Sequence, residues 1–175
     1  KESALIQKPS VALSLGDFKS VYSKKENAFE EEQCQIFLEE LKLLPAEEKE
    51  FPFQFLLDEN CLITDKKQSY FLNYGEKGLG NNLQLTITPH EIFLKVSELI
   101  QNFLRFKLKE HRPYKKGKKT GVEFKYLPPG SRDLANIESF ILGQRLDKDN
   151  LEWQLLFNIK KLNLTQPLAP AEKQI

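Results

Sequence analysis

Residues 83–104 read LQLTITPHEIFLKVSELIQNFL, a stretch that predicts a strand followed at once by a helix. Over 83–88, leucine and isoleucine alternate with polar residues, which is typical of a strand with one buried face. The Thr-Pro-His-Glu sequence at 88–91 has an N-cap residue, then proline, then glutamate three residues after the cap, which favours a helix start. An apolar stripe at helical spacing continues to Leu104. A strand joined to an amphipathic helix predicts a mixed fold.

The rest of the chain extends this pattern in both directions. Besides the helix at 89–104, we predict a long helix at 27–44 and a shorter one at 131–143. The predicted strands are 10–15, 18–22, 53–58, 61–64, 68–74, 83–88, 122–127 and 153–159. We therefore expect a single α+β domain over 1–164, with a mainly antiparallel sheet packed by two longer helices and one short helix. Residues 165–175 are expected to form a flexible tail.

The composition is that of a globular protein. Hydrophobic residues make up 40% of the 175 residues and charged residues 29%, which argues against a disordered chain. No apolar run approaches the roughly 18 residues of a membrane span, and the first residues lack a signal-peptide pattern. We expect an intracellular protein with no membrane partner. Cys34 and Cys61 are expected in the core, and nothing in the sequence calls for a metal or a cofactor.

A strongly basic segment follows the helix at 89–104. Residues 105–125, RFKLKEHRPYKKGKKTGVEFK, hold nine Lys or Arg against two Glu, a local charge of +7 in a chain of net charge +1. Clustered cations with neighbouring aromatic rings favour contacts with the phosphates of DNA or RNA. The candidate nucleic-acid-binding residues are Arg105, Lys107, Lys109, His111, Arg112, Tyr114, Lys115, Lys116, Lys118, Lys119 and Lys125.

An acidic segment lies upstream. Residues 26–50 hold nine Glu against two Lys, a local charge of −7. On the predicted helix at 27–44 these carboxylates form an outer face, which favours docking of a basic protein partner. The alternative is that this face neutralises the basic segment within the fold, and an ordinary solvated helix face is a third interpretation.

A single carboxylate stands out on the predicted helix at 131–143. Glu138 projects between Leu134 and Leu142, inside the apolar stripe, where a charge is costly unless it is paired or used. It is a candidate metal-binding or acid–base residue, with Arg105 as its candidate catalytic partner. A salt bridge with Arg145, on the same helix face, is the structural alternative.

Apart from an extra strand at 83–88, the predicted elements from residue 61 to residue 142 follow the order strand, strand, helix, strand, helix. This order resembles that of the GIY-YIG nucleases, a resemblance that implies a metal-dependent nuclease with an Arg on the first helix and a Glu on the second. The positions that correspond are Arg105, His111, Glu138 and Asn158. The family's first signature tripeptide is absent, and Asn73-Tyr74-Gly75 stands in place of the second.

Three functional hypotheses follow from these patterns. The first is an intracellular nucleic-acid-binding domain without catalytic activity, which contacts phosphates through the basic segment. The second is a metal-dependent nuclease that uses Glu138 and Arg105. The third is a protein-interaction or assembly module whose acidic and basic segments are docking faces.

Overall fold

The computed structural model describes residues 3–76, 81–117, 119–131, 134–148 and 150–160. The strands are β1 (Ala4–Gln7), β2 (Pro9–Asp17), β3 (Phe29–Ile36), β4 (Glu40–Leu43), β5 (Gln68–Glu76), β6 (Asn81–Leu85), β7 (Lys107–Lys116), β8 (Lys119–Leu127), β9 (Ile137–Asp147) and β10 (Asn150–Ile159). The helices are α1 (Phe18–Tyr22) and α2 (Glu91–Phe103). The described part of the chain is therefore mainly β-structure.

The strands form three antiparallel sheets. The first large sheet has the order β3-β2-β5-β6, and the second has the order β10-β9-β8-β7. The strands β1 and β4 pair with each other in a small two-stranded sheet. In the second sheet, β7 and β10 therefore lie at the two edges, with β8 and β9 between them.

The second sheet has its buried face against α2. Val122, Phe124 and Tyr126 alternate along β8 on this inner face and are at most 1% exposed. Phe140 and Leu142 continue the same row on β9, and Phe93 of α2 and Ile63 pack against it. The residues that lie between these along each strand point to the opposite side of the sheet, named here the outer face.

An extended segment ties the two large sheets together. Leu62 packs with Leu13 and Tyr70 in the core of the first sheet. The next residue, Ile63, belongs to the core of the second sheet. Successive side chains of an extended segment point in opposite directions, so these two neighbours reach two different cores.

Asn60 fixes this segment to β9. Its side-chain amide donates to the carbonyl of Leu146 at 2.8 Å, and its carbonyl oxygen accepts from the Leu146 amide at 2.6 Å. Asn60 is only 7% exposed. Its side chain supplies to the Leu146 backbone the two hydrogen bonds that a neighbouring strand would otherwise make.

The predicted fold class is wrong. The chain does not form an α+β domain with two longer helices and one short one, because the helix predicted at 27–44 is replaced by β3 and β4. The apolar residues in this segment fit helical spacing, but β3 pairs along its length with β2 instead. Long-range pairing has overridden the local pattern.

The helix predicted at 131–143 is also wrong, because β9 occupies most of that range. The run Phe140–Leu142 is apolar at three consecutive positions, a pattern that fits a buried central strand as well as a helix. With the helix and the strand at 61–64 both absent, the GIY-YIG-like order of elements does not hold.

Several other elements test the sequence predictions. The strands predicted at 10–15, 68–74, 122–127 and 153–159 are confirmed, and so is the helix at 89–104. Its N-cap, however, is His90 rather than Thr88, and the His90 Nδ1 atom accepts from the Ile92 amide at 3.2 Å.

Four further predictions differ from the structure or lie outside the described residues. The strand predicted at 18–22 is the helix α1, and the segments 53–58 and 61–64 have no regular secondary structure. The tail predicted at 165–175 lies outside the described residues. In the described part of the chain, no helix has the length and apolar character needed to cross a membrane.

Candidate functional site

The predicted basic residues come together on one hairpin, formed by β7 and β8 and named here the basic hairpin. Arg105 lies on the connection before it, exposed and with a positive φ of 58°. Lys118 lies outside the described residues. The exposed members on the two strands are Lys107, Lys109, His111, Arg112, Lys115, Lys116 and Lys119. Tyr114 and Lys125 are partly buried.

The cations of the basic hairpin do not share one face. Register with β8 places Lys107, Arg112 and Lys116 on the outer face of the sheet, whereas Lys115 pairs with Thr120 on the other face. His111 pairs with buried Phe124, and their ring centroids are 5.8 Å apart. The positive charge is therefore divided between the two sides of an edge hairpin.

Two of the cations already have partners within the sheet. Arg112 Nε donates to Glu123 at 2.9 Å, and Lys119 Nζ lies 3.5 Å from Glu152. Among the described residues, no ion pair joins the acidic segment 26–50 to the basic hairpin. The predicted neutralisation by direct pairing between these two segments is thus not found in this part of the chain.

The two segments nevertheless face a common cavity. A space of 290 Å³ between the sheets is lined by Lys115 of the basic hairpin and by Glu30, Glu32 and Asp58. Glu32 accepts a hydrogen bond from the Tyr70 hydroxyl at 3.1 Å. Burial, followed by the charge of Glu32, raises the pKa of Tyr70 above its ordinary value.

The two cysteines occupy different environments. Cys61 packs at the border of the first core, and burial raises the pKa of its thiol. Cys34 is exposed on β3, so its predicted core position is wrong. Across the described ranges, no group of three or more His, Cys, Asp or Glu side chains is arranged to hold a metal ion.

The two candidate catalytic residues, Arg105 and Glu138, lie at different parts of the second sheet. Glu138 is exposed in β9, at a shift in register where β9 has one more residue than β10. Arg105 precedes β7, and β8 lies between β7 and β9. Two strand spacings, about 10 Å, therefore separate the strands that carry these residues. The predicted burial of Glu138 within an apolar stripe is wrong.

A groove beside the basic hairpin contains two cations that the sequence analysis missed. Lys66 and Lys67 come from the turn before β5 and face Lys109 and Arg112 across a groove of 1060 Å³. Three carboxylates line the same groove, among them Glu123, and offset most of this positive charge. Distant segments meet here, so charge counted along the sequence does not reveal the groove.

The opposite edge of the second sheet has a different surface. On β10, four large apolar side chains alternate on the inner face: Trp153, Leu155, Phe157 and Ile159, named here the β10 apolar row. They are 58%, 55%, 51% and 66% exposed. The alternation predicted this strand and its apolar face, but not that the face is open, because edge position is a property of the whole sheet.

The register explains why the β10 apolar row is exposed. Leu155 pairs with Leu142 and Phe157 pairs with Phe140, and both β9 residues are at most 5% exposed. The row is therefore a continuation of the core face, one strand beyond the region in which Phe93 of α2 packs. Within the described residues no strand pairs with the other side of β10.

Comparison with known proteins supports the fold. No protein-family model matches the sequence, and no curated protein does either. Among solved structures, the chain is similar to the sporulation control protein Spo0M from Bacillus subtilis, with a TM-score of 0.62 and 20% sequence identity. The match covers 90% of this chain and 68% of that one. At this identity, the likeness shows a shared fold.

Proposed function

We propose that this chain is a protein-interaction module that binds an extended segment of a partner polypeptide along β10. The observation that carries the proposal is the β10 apolar row, which lies on an edge strand and is more than half exposed at every position. Contiguous exposed apolar surface is typical of sites where other proteins bind. A regulatory role of this kind agrees with the description of the structural neighbour as a control protein.

The edge position of β10 determines how a partner binds. Each edge strand has a row of backbone N–H and C=O groups on its unpaired side, and an extended peptide can add to it as a further strand. The alternate side chains of such a peptide would pack beside Leu155 and Phe157, continuing the inner face. Main-chain hydrogen bonds would supply affinity, and the β10 apolar row would select for apolar residues at every second position.

Selection of peptide ligands tests this proposal. A library of short random peptides is displayed on phage and selected on the protein, and binding is measured by the fluorescence of Trp153, the only tryptophan. We expect the selected peptides to alternate apolar and polar residues and to shift the Trp153 emission to shorter wavelength. Replacing Leu155 and Phe157 by Lys should weaken binding by at least about thirtyfold, or roughly 2 kcal/mol.

The matched control leaves β10 intact and removes charge elsewhere. Lys115→Gln with Lys116→Gln, on the opposite edge of the same sheet, should leave peptide affinity within about twofold because an apolar contact does not depend on distant charge. If the best peptides are acidic, and the lysine variant loses them while the β10 variant retains them, the proposal is wrong.

A second candidate function is binding of a nucleic acid by the basic hairpin. The observation that favours it is that Lys107, Lys109, Lys115 and Lys116 are exposed and form no ion pair within the described part of the chain. Lys66 and Lys67 widen this surface from a second segment. Contacts of this kind bind phosphates with little sequence preference.

A mobility-shift titration with DNA and RNA at two salt concentrations tests this second candidate. Steep weakening with salt, and loss of binding when Lys107, Lys109, Lys115 and Lys116 are changed to Ala, are the expected results. A variant with Leu155→Ser and Phe157→Ser, which changes no charge, serves as the control and should bind nucleic acid as well as the unchanged protein. Binding that survives removal of the lysines would eliminate this candidate.

A further inference from the structure

A cavity on the outer face of the second sheet lies between the two surfaces described above and shares Trp153 with the β10 apolar row and Lys116 and Lys119 with the basic hairpin. It has a volume of 660 Å³, and all four strands of the sheet contribute to it. The lining residues are Tyr114 and Lys116 of β7, Lys119 of β8, Arg145 of β9, and Glu152, Trp153 and Gln154 of β10. We refer to this cavity as the Tyr114 pocket.

The position of the Tyr114 ring depends on two glycines. A Cβ atom added to Gly121 would lie 2.5 Å from the carbonyl oxygen of Gln144 and 2.7 Å from Cε1 of Tyr114, so no other residue fits there. A Cβ at Gly143 would lie 3.6 Å from the same Tyr114 atom. The ring of Tyr114 therefore extends from β7 across β8 toward β9, over two glycines that have no side chain to obstruct it.

Positive charge exceeds negative charge in the Tyr114 pocket. Arg145 Nη1 donates to Glu152 Oε2 at 3.1 Å, and Lys119 Nζ lies 3.5 Å from the same oxygen. Lys116 forms no ion pair within the described residues. Three cations against one carboxylate leave a net charge of +2, the complement of a phosphate monoester, which carries about −2 at neutral pH.

Arg145 also has a hydrogen-bond donor that no residue in the described part of the chain accepts. Its side chain is 18% exposed, and Nε is buried without an acceptor among the described residues. Buried N–H groups are nearly always paired, so an orphaned one indicates that an unseen acceptor belongs nearby. Arginine is the residue best suited to binding phosphate, because its donors form a planar fork.

From this geometry we propose that the Tyr114 pocket binds a phosphate monoester, with Arg145, Lys119 and Lys116 as donors to the phosphate oxygens. Tyr114 supplies an aromatic surface for the group that carries the phosphate. Two sources share this chemistry, a phosphorylated side chain of another protein and a free nucleotide. The inference does not rest on peptide binding at β10.

Calorimetric titration with inorganic phosphate, O-phosphotyrosine and adenosine monophosphate tests the proposal. We expect saturable binding that weakens about tenfold or more when Lys116 and Lys119 are changed to Gln, because two charge-assisted contacts are removed. The matched control is Lys107→Gln with Lys125→Gln, which removes the same charge from the same two strands and the same outer face. The control should change the Kd by less than about twofold.

Two further variants test the assigned roles. Arg145→Lys keeps the charge but removes the fork, so it should weaken all three ligands. Tyr114→Leu should weaken phosphotyrosine and the nucleotide and leave inorganic phosphate unchanged. Tighter binding of phosphotyrosine supports a phosphorylated protein as the source, and tighter binding of the nucleotide supports a small molecule.

Two results would overturn the proposal. One is the lack of saturable binding of all three ligands by the folded protein at millimolar concentration. The other is an equal loss of affinity in the pocket variant and its control, which would reduce the effect to overall charge. Circular dichroism melts show whether each variant is folded, so that a loss of binding is not mistaken for unfolding.

Discussion

The two edges of the second sheet differ in how they are protected. On β7, Pro113 lacks a backbone N–H, a shift in register near Lys109 interrupts pairing, and lysines lie along the strand. Each of these features blocks the addition of another strand. On β10, the strand is ten residues long without proline, and its large apolar side chains are exposed. The comparison teaches that lysines on an edge strand can exclude a partner as well as attract one.

The largest expected effect comes from loosening the β10 side of the sheet. Asn60→Leu leaves the amide and carbonyl of Leu146 without partners, at a cost of roughly 2 kcal/mol in the free energy of unfolding. Urea denaturation measures this loss. Amide hydrogen exchange should also rise in β9 and β10 more than in β7 and β8. An equal rise in exchange in all four strands would show that Asn60 does not stabilise β9 and β10 more than β7 and β8.

An intermediate effect is expected when the protection of β7 is removed. Pro113→Val with Lys115→Val restores a backbone donor and removes a charge, so the edge becomes able to pair with a second copy. We expect the sedimentation coefficient to rise with protein concentration. The matched variant Lys107→Val, which retains the proline, should sediment like the unchanged protein. If both variants behave alike, the proline does not protect this edge.

The smallest expected effect concerns Glu152 and pH. A hydrogen bond from Arg145, with the charge of Lys119, lowers the pKa of the Glu152 carboxyl below its ordinary value of 4.5. A lowered pKa in the folded state contributes stability that is present above pH 4.5 and is lost as the pH falls through the folded value.

The Glu152 effect is measured by melting temperatures. The difference in Tm between the unchanged protein and Glu152→Gln should therefore be largest near neutral pH and disappear in acid. The same substitution at Glu110, a carboxylate on β7, is the control for the opposite edge. A difference in Tm that stays constant with pH would exclude a contribution from ionised Glu152.

The sequence predicted those parts of the fold in which one periodicity was clean. The strands at 122–127 and 153–159 alternate along their length, and the helix at 89–104 has a single apolar stripe. At 27–44 the apolar residues fit helical spacing, and pairing with β2 overrode that pattern. Partners that are distant in the sequence supply this information, so a local pattern does not contain it.

The candidate sites, like the fold, could be predicted from the sequence only in part. The concentration of lysine and arginine at 105–125 was visible in the sequence, but its division between two faces follows from strand register. Arg145 was expected to pair with Glu138 on a helix, whereas in the sheet it pairs with Glu152 of the neighbouring strand. The exposure of Trp153 depends on which strand ends the sheet, and composition does not encode that order.

The neighbouring positions of Leu62 and Ile63 have a consequence for unfolding. One peptide bond links a residue of each core, so neither sheet can lose its packing without withdrawing a side chain from the other. We expect the thermal melt to be a single cooperative transition, in which circular dichroism and Trp153 fluorescence report the same midpoint. The extended segment between the two large sheets thus makes them unfold as one thermodynamic unit.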